Sequence, residues 1–303
     1  MTAGPTTALL TRVRRLVPVR TTTLDAATRA ALVGFLRRPR FEVLPLPGIE
    51  ERVVGALPTD VRVTVTASPA KGLDATFDVA ERLAAHGFRV VPHVSARLVR
   101  DRGHLEEIVA RLEGAGVREI FVPAGDAQEP GAFAGSAELL RAMGDLRERF
   151  EAIGITGYPE SHHLISDEDT IRAMFEKAPM ATEIVSQICF DGEVIRDWIA
   201  NVRSRGTSLP IWIGVPGMVD QAKLLRISLK IGLGESARFL KNHKGWIGRV
   251  ATRRFTPDAI IRDLGPALAD PAANLAGFHV YTFNEVEQSE RWRRELLERL
   301  GAG

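Results

Sequence analysis

Apolar residues along this chain fall in short runs, separated by longer stretches in which they recur every three or four positions. The short runs are 41–45, 61–66, 88–93, 118–123, 152–157, 183–188, 210–215 and 277–282. They are rich in Val, Ile and Phe, as strands buried on both faces should be. The longer stretches predict helices over 24–38, 73–86, 103–115, 136–149, 168–177, 191–204, 219–232, 235–241, 257–264 and 285–300. In the first of these, Leu24, Ala27, Ala31, Leu32 and Leu36 recur at helical spacing. Eight strands alternating with helices over roughly 250 residues predict an α/β chain, a (β/α)8 TIM barrel. It has an N-terminal helix and extra helices between strands seven and eight, where Ser236 to Leu240 falls on the rim. An open doubly wound sheet is the competing topology, but no G-x-G-x-x-G follows the first strand. Residues 24–303 read as one barrel domain, preceded by a flexible or surface-packed tail over 1–23.

Composition narrows the picture. Of 303 residues, 45% are hydrophobic and 26% charged, an ordinary balance for a globular chain. The formal net charge of +2 argues against a dedicated nucleic-acid surface. One cysteine, Cys189, excludes an intrachain disulfide and suits a reducing, cytoplasmic compartment. No apolar run approaches the ~18–20 residues of a membrane span. The first carboxylate is Asp25, after Arg12, Arg14, Arg15 and Arg20, so a transit-like leader competes with the plain tail.

In a barrel of this kind the chemistry sits at the C-terminal strand ends. That rule selects Glu42, Thr64 with Thr66, His93 with Ser95, Asp126, Tyr158 and Gln187. Each has a plainer role open to it. Glu42 can be a salt-bridged rim acid, His93 a hydrogen-bonded core histidine, and Asp126 a turn or helix cap. Gln187 can satisfy a neighbour inside the barrel. Glu160 with His162 and His163 is too tight a cluster to make a metal site, and none is expected.

Six pieces in order resemble the methylenetetrahydrofolate reductase family over about residues 40–300. They are Phe41-Glu42 followed by Pro45, Pro92-His93-Val94-Ser95, Gly125-Asp126 and Gly157-Tyr158-Pro159-Glu160-Ser161-His162. The other two are Ser186-Gln187 with Phe190-Asp191, and Phe278-His279-Val280-Tyr281-Thr282-Phe283-Asn284. The resemblance implies a (β/α)8 barrel that reduces 5,10-methylenetetrahydrofolate to 5-methyltetrahydrofolate, for methionine biosynthesis in one-carbon metabolism. It implies Glu42 as general acid, Asp126 against the pterin, and Gln187, Phe190 and Tyr281 on the folate. Thr66, His93, Ser95, Tyr158 and His162 match the flavin site. The regulatory domain of longer family members is not expected here.

The departures from the family bear on the cofactor. Ala124 stands where the family has Arg before Gly-Asp, and a gapless match puts Phe175 and Glu176 at its Arg-Lys pair, with Lys177 one residue on. The Phe-Phe after the opening Glu becomes Val43-Leu44, and the Gly214–Met218 segment is shorter than the family loop. Those family cations hold the FAD diphosphate, and each lost charge-assisted hydrogen bond costs about 1.5–3 kcal/mol. FAD binding is therefore expected to be weak. The expected co-substrate is NADH or NADPH, passing its hydride directly to the folate. An FAD-dependent reductase holding the diphosphate through Lys177 is the alternative, and a non-catalytic folate-binding barrel the next. Glu42 is expected to have its pKa raised by apolar walls including Val43 and Leu44. Arg97, Arg100, Lys223 and Lys230 are candidate partners for the folate glutamate tail.

Overall fold

A computed structural model of the chain describes residues 24–160, 166–220, 254–255 and 257–302. Eight parallel strands form a barrel with helices between them. In chain order they are Arg40–Val43, Arg62–Val65, Val90–Pro92, Glu119–Phe121, Ala152–Gly157, Glu183–Ser186, Ile211–Pro216 and Leu275–Tyr281. Strand one pairs with strands two and eight, and strand eight pairs in turn with strand seven. Strands three and four meet through the bridge between His93 and Phe121, reinforced by Val94 N–H donating to the Phe121 carbonyl at 2.8 Å. Every predicted strand is present within a few residues of its expected bounds.

The helices follow from their caps and apolar faces. Asp25 accepts Thr28 N–H at 2.8 Å and starts Ala26–Arg37, which buries Leu32 and Leu36. Asp101 caps Arg102–Gly114, Ser166 caps Asp167–Lys177, and Asp191 caps Gly192–Ser204. Asp74–Ala85, Ser136–Met143, Asp258–Leu264 and Val286–Arg299 complete the predicted set among the described residues. The N-terminal helix is held by Phe35 edge-on to Phe278 and by Arg293, which donates to the Leu36 carbonyl at 2.8 Å.

Two features were not expected. A helix over Ile49–Ala56 joins strands one and two, and a two-stranded antiparallel ribbon pairs Val219–Asp220 with Arg254–Phe255. The helices predicted at 219–232 and 235–241 fall mainly or wholly on residues outside the described set. The tail 1–23, His162, His163, Lys223 and Lys230 lie outside it as well.

Alternation sorts the strand residues between two cores. Phe41, Val43, Ile120, Ile153, Ile155, Ile184, Ile211 and Ile213 belong to the large core, while Val91, Phe121, Val185 and Trp212 form a separate small cluster. Beneath that cluster, at the strand starts, lies a buried ionic layer. Arg40 bonds both oxygens of Glu183, at 2.5 and 3.0 Å, and Glu119 at 3.0 Å. Arg62 and Arg89 close on the same Glu119, and Trp212 Nε1 donates to Glu183 at 2.9 Å. The Arg40 guanidinium lies 4.1 Å from the Trp212 ring centroid.

Candidate active site

Because Phe41 and Val43 point into the large core, Glu42 between them belongs to the opposite face of its strand, with Arg40. Its carboxylate is 14% exposed, and both neighbouring imidazoles close on one oxygen. His279 Nε2 is 3.0 Å from Oε2, and His93 Nε2 is 3.5 Å from the same atom. Burial pushes the Glu42 carboxyl up, but the hydrogen bonds from His279 and His93 and their charges outweigh it, holding the pKa at about 2. This reverses the expectation of a raised pKa. Val43 faces the large core and Leu44 is 38% exposed, so neither walls the carboxylate. Its neighbours arrive from strands three and eight.

His279 is buried, and burial lowers its pKa against the raising effect of Glu42. Among the described residues its Nδ1 has no hydrogen-bond partner, nor does the Thr64 Oγ1. The His279 ring meets the Tyr281 ring edge-on at 4.8 Å between centroids. Tyr281 donates to the Ser186 carbonyl at 3.0 Å, and a Cβ at Gly214 would come within 2.9 Å of its ring. Burial raises the Tyr281 pKa, with Glu42 and Tyr158 adding to it.

The strand-one loop is pinned from strand eight. Thr282 Oγ1 donates to the Glu42 carbonyl at 2.6 Å. The Asn284 side chain accepts Leu44 N–H at 2.8 Å and donates to the Leu44 carbonyl at 3.1 Å. Phe283 and Asn284 both adopt positive φ, 51° and 64°, to bring that amide round.

On the other side of the mouth, the loops after strands three and four run together. Ala96 N–H bonds the Pro123 carbonyl and Arg97 N–H the Ala124 carbonyl, each at 3.0 Å. Gly125, at φ 86°, packs where a Cβ would stand 3.0 Å from the Ser95 Cβ, and carries the exposed Asp126. Tyr158 is half-buried. Burial raises its pKa, Thr156 lowers it by a hydrogen bond, and Asp126 raises it. Thr66 is half-buried, and its N–H bonds the Val43 carbonyl at 2.9 Å. Gln187 is half-buried, its N–H bonding the Gly157 carbonyl at 2.7 Å, and Phe190 is half-buried nearby in sequence.

The positions that bear on a diphosphate are also defined. Phe175 packs against the large core, and Glu176 is ion-paired with Arg141. Lys177 is buried, 5% exposed, with Nζ donating to Thr156 Oγ1 at 3.0 Å. Burial lowers its pKa to about 8, against the opposing charge of Glu176. Arg97 is spent on the carbonyls of Ala127, Gln128 and Ala134, stapling its own loop rather than reaching for a ligand. Cys189 is buried and its thiol donates to Glu160 at 3.1 Å.

Sequence reasoning passed over His279, although it stood in a quoted motif. Its spacing of two from Tyr281 puts both on one face of strand eight, and that alternation is the signal that could have found it. Among the described residues no helix is long and apolar enough to cross a membrane. A family model described as methylenetetrahydrofolate reductase matches residues 48–232, more than half of the chain. The match takes in His93, Asp126, Tyr158 and Gln187. Glu42, His279 and Tyr281 lie beyond its ends, so their place in the site rests on geometry.

Proposed function

Because the chain belongs to the methylenetetrahydrofolate reductase family, a family of oxidoreductases, we propose that it reduces 5,10-methylenetetrahydrofolate by direct hydride transfer from NAD(P)H. The observation that carries the reading is Glu42, an acid inside the barrel mouth with two imidazoles on one oxygen. A binding module has use for pterin contacts but none for such a proton-transfer group, which weighs against the non-catalytic alternative.

Glu42 gives a proton to N10, the five-membered ring opens, and an N5-iminium cation is left. Asp126, carried out by Gly125, stabilises that cation and contacts the pterin. Gln187, Phe190 and Tyr281 orient the folate, and the hydride then adds to the iminium carbon. Thr66, His93, Ser95, Tyr158 and His162 are the residues proposed to bind the nicotinamide. The unit is one barrel over 24–303, working in the cytoplasm.

The donor residues support independence from FAD. Ala124 carries no charge, Phe175 is committed to the core and Glu176 is an acid paired with Arg141. Lys177 is the cation left to the FAD-dependent alternative, and it is buried on Thr156. Losing two charge-assisted bonds weakens a diphosphate by hundredfold or more, at roughly 1.5–3 kcal/mol each.

The test is NADH oxidation by flavin-free protein with 5,10-methylenetetrahydrofolate, followed by the Glu42→Gln variant. We expect turnover without added flavin, and a fall of about 10²–10⁴-fold in the variant with folate binding kept. A yellow protein whose bleaching by NADH is required for turnover overturns the hydride route. Unchanged turnover in the variant removes Glu42 from the acid's role.

A further inference from the structure

An acid held at about 2 is ionised at neutral pH and has no proton to give. The geometry around Glu42 points to the source. His279 Nε2 sits 3.0 Å from Oε2, within direct transfer distance, and the ring is buried against Tyr281. Its far nitrogen, Nδ1, is buried with no hydrogen-bond partner among the described residues. Loading a proton on the pair leaves an Nδ1–H unsatisfied, on the imidazolium and on the neutral ring that remains after Nε2 transfers its proton alike. The pair therefore holds that proton weakly, and the short Nε2 to Oε2 contact is what lets it move.

We propose that Glu42 and His279 form one acid, in which His279 holds the proton that Glu42 delivers to the folate. This rests on the reading of Glu42 as the donor to N10. One proton on the pair has two forms, carboxylate with imidazolium or carboxylic acid with neutral imidazole. A pterin lying over the 14%-exposed carboxylate strips its water and disfavours the charged form. The proton then moves from Nε2 to Oε2. Glu42 passes it to N10, the bond from N10 to the methylene carbon breaks with its electron pair left on N10, and the N5 lone pair completes the iminium. Solvent returns one proton to the pair through Glu42 after product leaves. His279 reaches the substrate only through Glu42 and is a positioning residue in that sense.

The charged and titratable groups around His279 are Glu42 and Arg40 from strand one, His93 from strand three and Tyr281 on its own strand. Arg40 beneath is ion-paired with Glu119 and Glu183. That leaves the Glu42–His279 pair as the place of the movable proton.

His279→Gln keeps an N–H donor for Oε2 but cannot carry a proton, and His279→Asn shortens the reach. The readouts are kcat and KM against pH, and titration of the Glu42 carboxyl by ¹³C NMR. In the wild type we expect kcat to rise as pH falls through an apparent value below 6.5. In His279→Gln we expect kcat to fall at least tenfold, that limb to disappear, and affinity for 5-methyltetrahydrofolate to stay within about twofold. The NMR titration should lose one of its two coupled steps. A pH profile unchanged in both variants, with folate binding intact, overturns the proposal while leaving Glu42 as the acid. If Glu42→Gln itself turns over normally, the functional reading falls first. Should His279→Gln not fold, the His279→Asn profile decides alone.

Discussion

The barrel holds two buried polar layers, and they are built for opposite purposes. At the strand starts three guanidiniums meet two carboxylates and an indole N–H. At the strand ends one carboxylate meets two imidazoles, one of them packed edge-on against a phenol ring. Arg40 and Glu42 are two residues apart on the same strand, and Arg40 is the register partner of His279. The lower layer uses Arg, which keeps its charge at every accessible pH, and each carboxylate there accepts several bonds. Burial raises the Glu119 pKa, but Arg40, Arg62 and Arg89 bring it down below its ordinary value. The upper layer uses His, whose charge can change near neutrality, and among the described residues leaves Thr64 Oγ1 and His279 Nδ1 without hydrogen bonds. One layer fixes the barrel. The other keeps a proton movable.

The sharpest way to break that contrast is Glu183→Gln. It removes a charge from the pair with Arg40 and leaves the guanidinium buried without its main partner. Truncating one member of a buried pair costs about 3–5 kcal/mol, so chemical denaturation should show a loss of that order. The protein that remains folded should keep its kcat. Glu42→Gln should instead lose turnover selectively, with a smaller loss of stability than Glu183→Gln. If both variants lose stability equally and neither loses rate selectively, the two layers do not differ in function.

Asn284 tests how the upper layer is held. Its side chain mimics a strand edge for Leu44, and its own backbone is left-handed at φ 64°. Asn284→Gly removes the two bonds without adding backbone strain. With about 0.5–1.5 kcal/mol for each bond, we expect a modest loss of stability. We also expect a several-fold fall in kcat with KM for folate little changed, because Glu42 is the group whose strand end loosens. Steady-state kinetics at saturating folate check this. A rise in KM alone would make the loop a binding element and not a support for the acid.

Much of this was readable before any coordinates. Runs such as 152–157 and 210–215 are apolar on both faces and bounded by polar helical stretches, so the barrel count followed from alternation alone. The helix Ile49–Ala56 was passed over because it buries only Ile49 and Val53, follows Pro47-Gly48 and opens on Glu50-Glu51-Arg52. Eight residues with so narrow an apolar stripe give little periodic signal. The place of Glu42 was legible because Phe41 and Val43 flank it. Its electrostatics were not. Val43 and Leu44 are its neighbours along the chain, yet alternation sends Val43 to the other core. The groups that set its protonation come from positions 93 and 279. The lower layer left a trace too, since Arg40, Glu119 and Glu183 each stand at the start of a barrel strand. Their mutual pairing is a property of closure, which sequence spacing does not encode.

The smallest expected effect lies in how acid melts the protein. Both Glu42 and His279 have folded pKa values below their unfolded ones. In each case the unfolded chain binds more protons, so stability falls as pH falls. For His279 the loss begins below the ordinary histidine value of 6.5, and for Glu42 it runs from 4.5 down to about 2. His279→Gln should therefore flatten the melting temperature against pH just below 6.5. Glu42→Gln should flatten it below 4.5. Each difference is confined to its own pH window. The Arg-based layer contributes no such slope from its cations, because guanidinium does not titrate there. Calorimetry from pH 8 to pH 3 on the two variants and the wild type measures it. A wild type that grows more stable as pH drops through 6.5 would mean that the folded mouth prefers a charged His279. The proton would then be held on the imidazole and not passed to Glu42.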